Sequence, residues 1–229
     1  MIRGRRLNAN ERAVAQRVFC CSIPLDDIYL VDILGLGGRP FTIPGEVALL
    51  TLAAARVAPG LGPLVGLAAA AGPVGFAVVE GIRWLSGELT LAAALGDYLV
   101  CMGRAAYNGD AAQFRFGTDS RAGATFIHEL THVWQGEHSS VNWAYVIDSL
   151  WSQATSSNAY AYTAGQGWTS YNVEQQAEIV EDWYANGEQL TDPLYRYLTQ
   201  NIRICSSGSG GQTAALQRAG GNPRNIREK

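Results

Sequence analysis

Charged side chains are scarce in this chain. Lys, Arg, Asp and Glu make up 16% of 229 residues, against about a quarter in an ordinary globular domain. Net charge is −3, and basic residues gather only in short groups near the two ends (Arg3, Arg5, Arg6; Arg224, Arg227, Lys229). No basic stripe marks a nucleic-acid surface, so nucleic acid is not an expected partner. The four cysteines, Cys20, Cys21, Cys101 and Cys205, show no CxxC spacing, which argues against a cysteine zinc knuckle or a dithiol redox motif. Adjacent Cys20 and Cys21 are not expected to bridge each other, and a pairing such as Cys101–Cys205 stays open. The basic start Met1–Arg6 is followed by no apolar core and no cleavage site, so no conventional secretion signal is expected. No internal repeat is visible. Histidine is also rare, with three copies, and their placement is informative.

Apolar residues make up 48% of the chain, enough for a real core, and the length suits one domain with an elaboration. Residues 1–9 read as a flexible tail, 10–205 as a single domain and 206–229 as a disordered Ser/Gly-rich tail. Within the domain, 10–20 reads as a short helix with an Asn cap. Residues 27–34 and 41–43 read as strands, and 97–102 as a further strand upstream of the histidine-bearing segment. Residues 103–120 read as a polar loop. The stretch 47–90 is an apolar helical insertion. Its core, Val57–Val79, runs 23 residues without a charge, long enough to span a bilayer. Eight Gly and Pro residues interrupt it, so short helices packed as a hairpin are expected, with membrane contact through 47–90 as the other reading. Residues 139–171 are dense in Trp and Tyr, which argues for an ordered loop or hairpin, with Val141–Trp151 as a short helix.

Two of the three histidines stand in Thr125-Phe126-Ile127-His128-Glu129-Leu130-Thr131-His132-Val133-Trp134-Gln135. On a helix, residues four apart share a face with Cβ atoms about 5–6 Å apart. That lets two imidazoles reach one Zn²⁺, each at about 2.0–2.1 Å. Glu129, next to the first histidine, is then placed as general base. Apolar Phe126, Ile127, Leu130, Val133 and Trp134 support a helix, Asp119 or Ser120 offers its cap, and Gly136 marks its exit.

A catalytic zinc needs a third protein ligand, and three residues compete. His138 lies six past His132, as in the longer HExxHxxGxxH pattern. Gln135 stands where that pattern has Gly, however, and no methionine follows Met102. Glu174 and Glu178 lie on a helix expected at 172–186, opened by an Asn172/Gln175 capping box and ended by Gly187. Glu174, Glu178 and Asp182 follow i, i+4, i+8, a run of like charge that wants a cation. Glu174 sits in the first turn, where the helix dipole favours a carboxylate. Glu178 would hold the outer nitrogen of a ligand histidine. Asp192-Pro193 opens a last helix, with Leu194, Tyr197, Leu198 and Ile202 on its buried face.

Glu174-Gln175-Gln176-Ala177-Glu178 resembles the Glu-x-x-Ala-Asp/Glu signature of gluzincin-type peptidases. Taken with the His128 helix, it is similar to bacterial VgrG-related zincin domains, which occur fused to or encoded beside type VI secretion spike proteins. The resemblance covers about 10–46 and 96–204. It implies an α+β, helix-dominated zincin-like fold with a small sheet, in which 97–102, by its order before the His128 helix, would be the edge strand that pairs with an extended substrate. It also implies His128, His132 and Glu174 as Zn²⁺ ligands and Glu129 as general base. The expected activity is zinc-dependent peptide-bond hydrolysis by a secreted antibacterial or host-directed effector exported through a type VI-like apparatus; otherwise the expected location is cytoplasmic. Partners would be a protein or peptide substrate and a secretion spike or immunity protein. Tyr160, Tyr162, Tyr171 and His138 are candidate oxyanion donors, with Tyr171 preferred. Two rival readings are a membrane-active toxin with structural zinc and an inactive zincin used as a binding module.

Overall fold

The computed structural model describes residues 2–35, 38–45, 97–117, 119–139 and 160–205. The apolar block 47–90, the helix expected at 141–151 and the 206–229 tail lie outside them. The described residues form a mixed α/β fold, rich in helix, with a four-stranded sheet. Strand β1 (Gly4–Arg6) leads into α1 (Ala9–Phe19), followed by β2 (Ile28–Val31) and β3 (Phe41–Pro44). After the undescribed block come β4 (Tyr98–Cys101), the short helix α2 (Gly103–Asn108), the long helix α3 (Ala124–His138) and α4 (Val173–Ala185). The chain then makes a helical turn at Tyr195–Tyr197 that widens into π-helical geometry over Leu198–Ile202.

The sheet order is β1-β2-β4-β3. β2 and β4 run parallel, with Ile28 opposite Tyr98 and Val31 opposite Cys101, and the outer strands pair antiparallel to them. Every residue of β2 and β4 is buried, as expected of central strands covered on both faces. β4 is therefore not the edge strand expected from the sequence. Among the described residues, the edge beside α3 is β3, and Thr42 on it packs directly under the helix.

The N-terminal residues are also more ordered than a flexible tail. β1 is held by Glu11, which is fully buried and accepts two hydrogen bonds from the Arg5 guanidinium at 2.7 and 2.8 Å. Glu11 also accepts from the backbone N–H groups of Asn8 and Ala111, each at 2.8 Å. The cap of α1 is Asn8, paired with Glu11 in a capping box, so the helix starts before the expected position. Residues 103–120 contain α2 and a 3₁₀ turn at Ala111–Gln113 in place of an unstructured loop. Cys205 pairs with Cys21, Cα–Cα 5.6 Å, and not with Cys101, which is buried in β4.

α3 is the central helix, buried on nearly every side from Ala124 to Gly136, which marks a helix enclosed by other elements. Its start follows from Gly123 in the left-handed region at φ 82. A Cβ there would also fall 2.7 Å from the Ala112 carbonyl oxygen. The capping duty falls to Asp119, whose carboxylate accepts from the Thr125 hydroxyl at 2.8 Å and its N–H at 3.3 Å. The helix runs through Gly136 to His138, so the exit expected at Gly136 lies two residues late. Fully buried Phe126, Ile127, Leu130 and Val133 each contribute about 1.5–3 kcal/mol. That offsets the several kcal/mol that burying an ionised side chain costs, and it allows this helix to carry polar groups into the interior.

Candidate metal centre

α4 packs across α3 and brings a second set of polar groups to the first. Its N-terminus is built as the sequence indicates: the Asn172 side chain accepts from Gln175 N–H at 2.8 Å, and the Gln175 side chain accepts from Asn172 N–H at 3.1 Å. That cap fixes the first turn, and Glu174 in it is buried. Glu174 Oε2 lies 3.3 Å from His128 Nε2, and Oε1 lies 3.7 Å from His132 Nε2. One ligand atom from each of these residues fits within a 4.8 Å group. Ligands at the corners of a tetrahedron with bonds of about 2.05 Å stand about 3.3 Å apart, so a single cation matches this spacing. Two imidazoles and a carboxylate are also a donor set suited to a divalent transition metal. His128, His132 and Glu174 could therefore hold a metal ion.

The outer nitrogens show which ring atoms face the cluster. His128 Nδ1 lies 2.9 Å from the Glu181 side-chain oxygen Oε2, so this nitrogen faces Glu181 and Nε2 points to Glu174. His132 Nδ1 lies 2.7 Å from Gln135 Oε1. The Gln135 amide nitrogen donates to the Val173 carbonyl at 2.8 Å; a carbonyl only accepts, so the amide cannot be reversed. The oxygen of Gln135 must then face His132, which fixes its proton on Nδ1. Gln176 continues the chain, accepting from Gln135 at 3.1 Å and donating to the carbonyls of Trp168 and Tyr171. The residue that departs from the longer histidine pattern thus orients a histidine of the short one.

Glu181, which the sequence reading did not single out, takes the place expected for Glu178. Glu178 approaches His128 Nδ1 only to 3.8 Å. Asp182, the third member of the expected acidic run, accepts from the Tyr162 hydroxyl at 2.6 Å and faces away from the cluster. The signal for Glu181 was its seven-residue spacing from Glu174, two helical turns on the same face.

The electrostatics show how strongly this place favours positive charge. Burial alone would lower the His128 pKa, but hydrogen bonds to Glu174 and Glu181 outweigh it and hold the imidazole well above its usual value. Burial, then repulsion from Glu181, pushes the Glu178 carboxyl up to about 7. Glu129 is raised by burial, against the pull of His132, His128 and Thr42. The Thr42 hydroxyl lies 2.8 Å from Glu129 Oε2 and 3.1 Å from the Glu129 carbonyl oxygen.

The remaining candidates divide clearly. His138 stacks on Trp134 with ring centroids 4.5 Å apart, and its Nδ1 bonds the Trp134 carbonyl at 2.8 Å; it is not brought to the cluster. Tyr171 is not brought there either. Its hydroxyl donates to the Thr163 carbonyl at 2.8 Å and meets Tyr197 and the Gln166 N–H at 3.0 and 3.1 Å, pinning the 163–171 loop. Among the described residues, Tyr160 has its ring 6.0 Å from that of His128. Burial, then the Glu174 carboxylate, raises its pKa.

Among known proteins, no family model and no solved structure matches the chain. Over 64 residues it is 42% identical to the type VI secretion system spike protein VgrG2b of Pseudomonas aeruginosa. That stretch is 26% of this chain and 6% of the spike protein. No helix among the described residues is long and apolar enough to cross a membrane.

Proposed function

We propose that this chain is a zinc-dependent peptidase associated with type VI secretion. The observation that carries the reading is the convergence of His128, His132 and Glu174 from two helices within 4.8 Å, with the buried carboxylate of Glu129 beside them. Zinc held there supplies a Lewis acid that polarises a carbonyl oxygen and makes water a stronger acid, with a pKa near about 7. The chain's own residues do the rest. Glu129 takes a proton from the attacking water and passes it to the leaving amine, a role suited to a carboxyl whose pKa burial has raised. The Tyr160 hydroxyl, kept protonated by its surroundings, donates to the oxyanion that develops at the attacked carbon. Glu181 and Gln135 hold the imidazoles in orientation. The partial similarity to a spike protein supports an effector delivered with that apparatus, acting on a protein substrate and neutralised in the producing cell by an immunity protein.

The test is metal analysis with an unbiased peptide-cleavage screen. Glu129→Gln should retain zinc at one equivalent and lose cleavage, and Glu174→Ala should lose zinc. Unchanged cleavage by Glu129→Gln removes the mechanism, and loss of zinc in Glu178→Ala with retention in Glu174→Ala removes the ligand assignment.

A further inference from the structure

The geometry points to Thr42 as the positioning residue of Glu129: its hydroxyl anchors one carboxylate oxygen and leaves the other to face the reacting atoms. For its consequence in turnover, this rests on the peptidase reading above. Thr42 comes from β3, 87 residues away in sequence, and is buried. Its hydroxyl lies 2.8 Å from Glu129 Oε2. Among the described residues, no hydrogen bond reaches Oε1. A carboxylate on a Glu side chain has three rotatable torsions, and one hydrogen bond to a rigid strand removes most of that freedom. β3 supplies the rigidity, since Thr42 stands opposite Val100 in the ladder with β4.

A hydroxyl suits this position better than a cationic or amide donor. It has one proton and two lone pairs, and its second neighbour is the Glu129 backbone carbonyl at 3.1 Å. With Glu129 ionised, the proton goes to Oε2, where a charged acceptor makes the stronger bond. A neutral hydroxyl anchors that oxygen without the salt bridge a cationic donor would make. The same bond ties the sheet edge to α3, so a purely structural role must be separated from a positional one.

Thr42→Val keeps the shape and removes the hydroxyl, and Thr42→Ser restores it. The readouts are kcat and KM on a cleaved peptide, zinc affinity by chelator competition, and the ¹³C resonance of the Glu129 carboxyl in zinc-loaded protein, assigned by its absence in Glu129→Gln. The expected result is a fall in kcat of about 10- to 100-fold in Thr42→Val, with KM and zinc affinity within twofold, a displaced Glu129 resonance, and recovery of both in Thr42→Ser. An unmoved Glu129 resonance in folded Thr42→Val overturns the inference, as does a loss that Ser fails to restore. If the wild type cleaves nothing while the resonance moves in Val and returns in Ser, the peptidase reading fails and Thr42 stands as the residue that holds this carboxylate.

Discussion

Replacing Gln135 by leucine removes nothing that would touch the metal, yet it should weaken zinc binding by about 10- to 100-fold. The side chain is buried between the two helices. Its oxygen accepts from His132 Nδ1 at 2.7 Å and its nitrogen donates to the Val173 carbonyl at 2.8 Å. Without that oxygen, the Nδ1–H of His132 loses the acceptor at 2.7 Å. In metal-free protein the ring can relieve this by switching tautomer or turning. With Nε2 committed to a metal, the proton must stay on Nδ1, so the penalty falls on the loaded state. A buried donor left without its partner costs about 1–3 kcal/mol, and a factor of 10 in Kd is about 1.4 kcal/mol, which brackets the expected loss. The assay is competition against a chromophoric chelator at one pH and salt concentration. Gln135→Glu separates the two contacts: it keeps an acceptor for His132 but sets a carboxylate against the Val173 carbonyl. It should bind zinc at least as tightly as wild type while the metal-free protein melts at a lower temperature. Zinc affinity of Gln135→Leu within twofold of wild type would refute the reasoning. A loss in Gln135→Glu equal to that in Gln135→Leu would show that the clamp between helices, and not the orientation of the ring, is what matters.

Glu181→Ala should reduce zinc affinity by about tenfold or more and Glu178→Ala by less, because Glu181 stands 2.9 Å from His128 Nδ1 and Glu178 3.8 Å; the same chelator titration checks the order, and a reversed order returns the supporting role to Glu178. A pH effect belongs to Glu188, which bridges Arg17 and Arg121 at 2.6 and 3.0 Å. Burial would raise its pKa, but the hydrogen bond and charge of Arg17, with the charge of Arg121, bring it below the ordinary 4.5. A carboxylate with a depressed folded-state pKa stabilises the fold fully above the unfolded value, and that stability is lost as pH falls through the folded one. Urea midpoints should therefore decline below pH 4.5 less steeply in Glu188→Gln than in wild type, and parallel declines would count against the assignment.

The helix that carries His128 and His132 was legible because its information is local. Two histidines four apart, an apolar flank on every side and a capping box on the partner helix each act within a few residues, and α4 starts at Val173 after Asn172 as its cap indicates. Local signals failed where tertiary partners decide. Nothing near Arg5 shows that residues 4–6 will be a strand, because what fixes them is a buried Glu11 reached by folding back. The edge strand was misplaced for the same reason: Tyr98–Cys101 precedes the helix in sequence, but β3 pairs on its outer side.

On the acidic face, helical phase separates residues that charge alone does not. At about 100° per residue, position i+8 is turned about 80° from position i, whereas i+7 returns to within about 20° of it. Counted from Glu174, that puts Glu181 over the histidines and turns Asp182 aside towards Tyr162. Charge alone does not distinguish the two; helical phase does. The tyrosines follow a different logic. Tyr171 is near Glu174 in sequence, but it stands just before the cap, where the chain is extended, and its ring turns into the core beside Tyr197. Tyr160, eleven residues earlier, has its ring 6.0 Å from that of His128, and the loop that follows it is pinned through the Tyr171 hydroxyl. Proximity along the chain therefore pointed to the residue that fixes the loop, whereas the tyrosine ring found beside His128 stands eleven residues earlier.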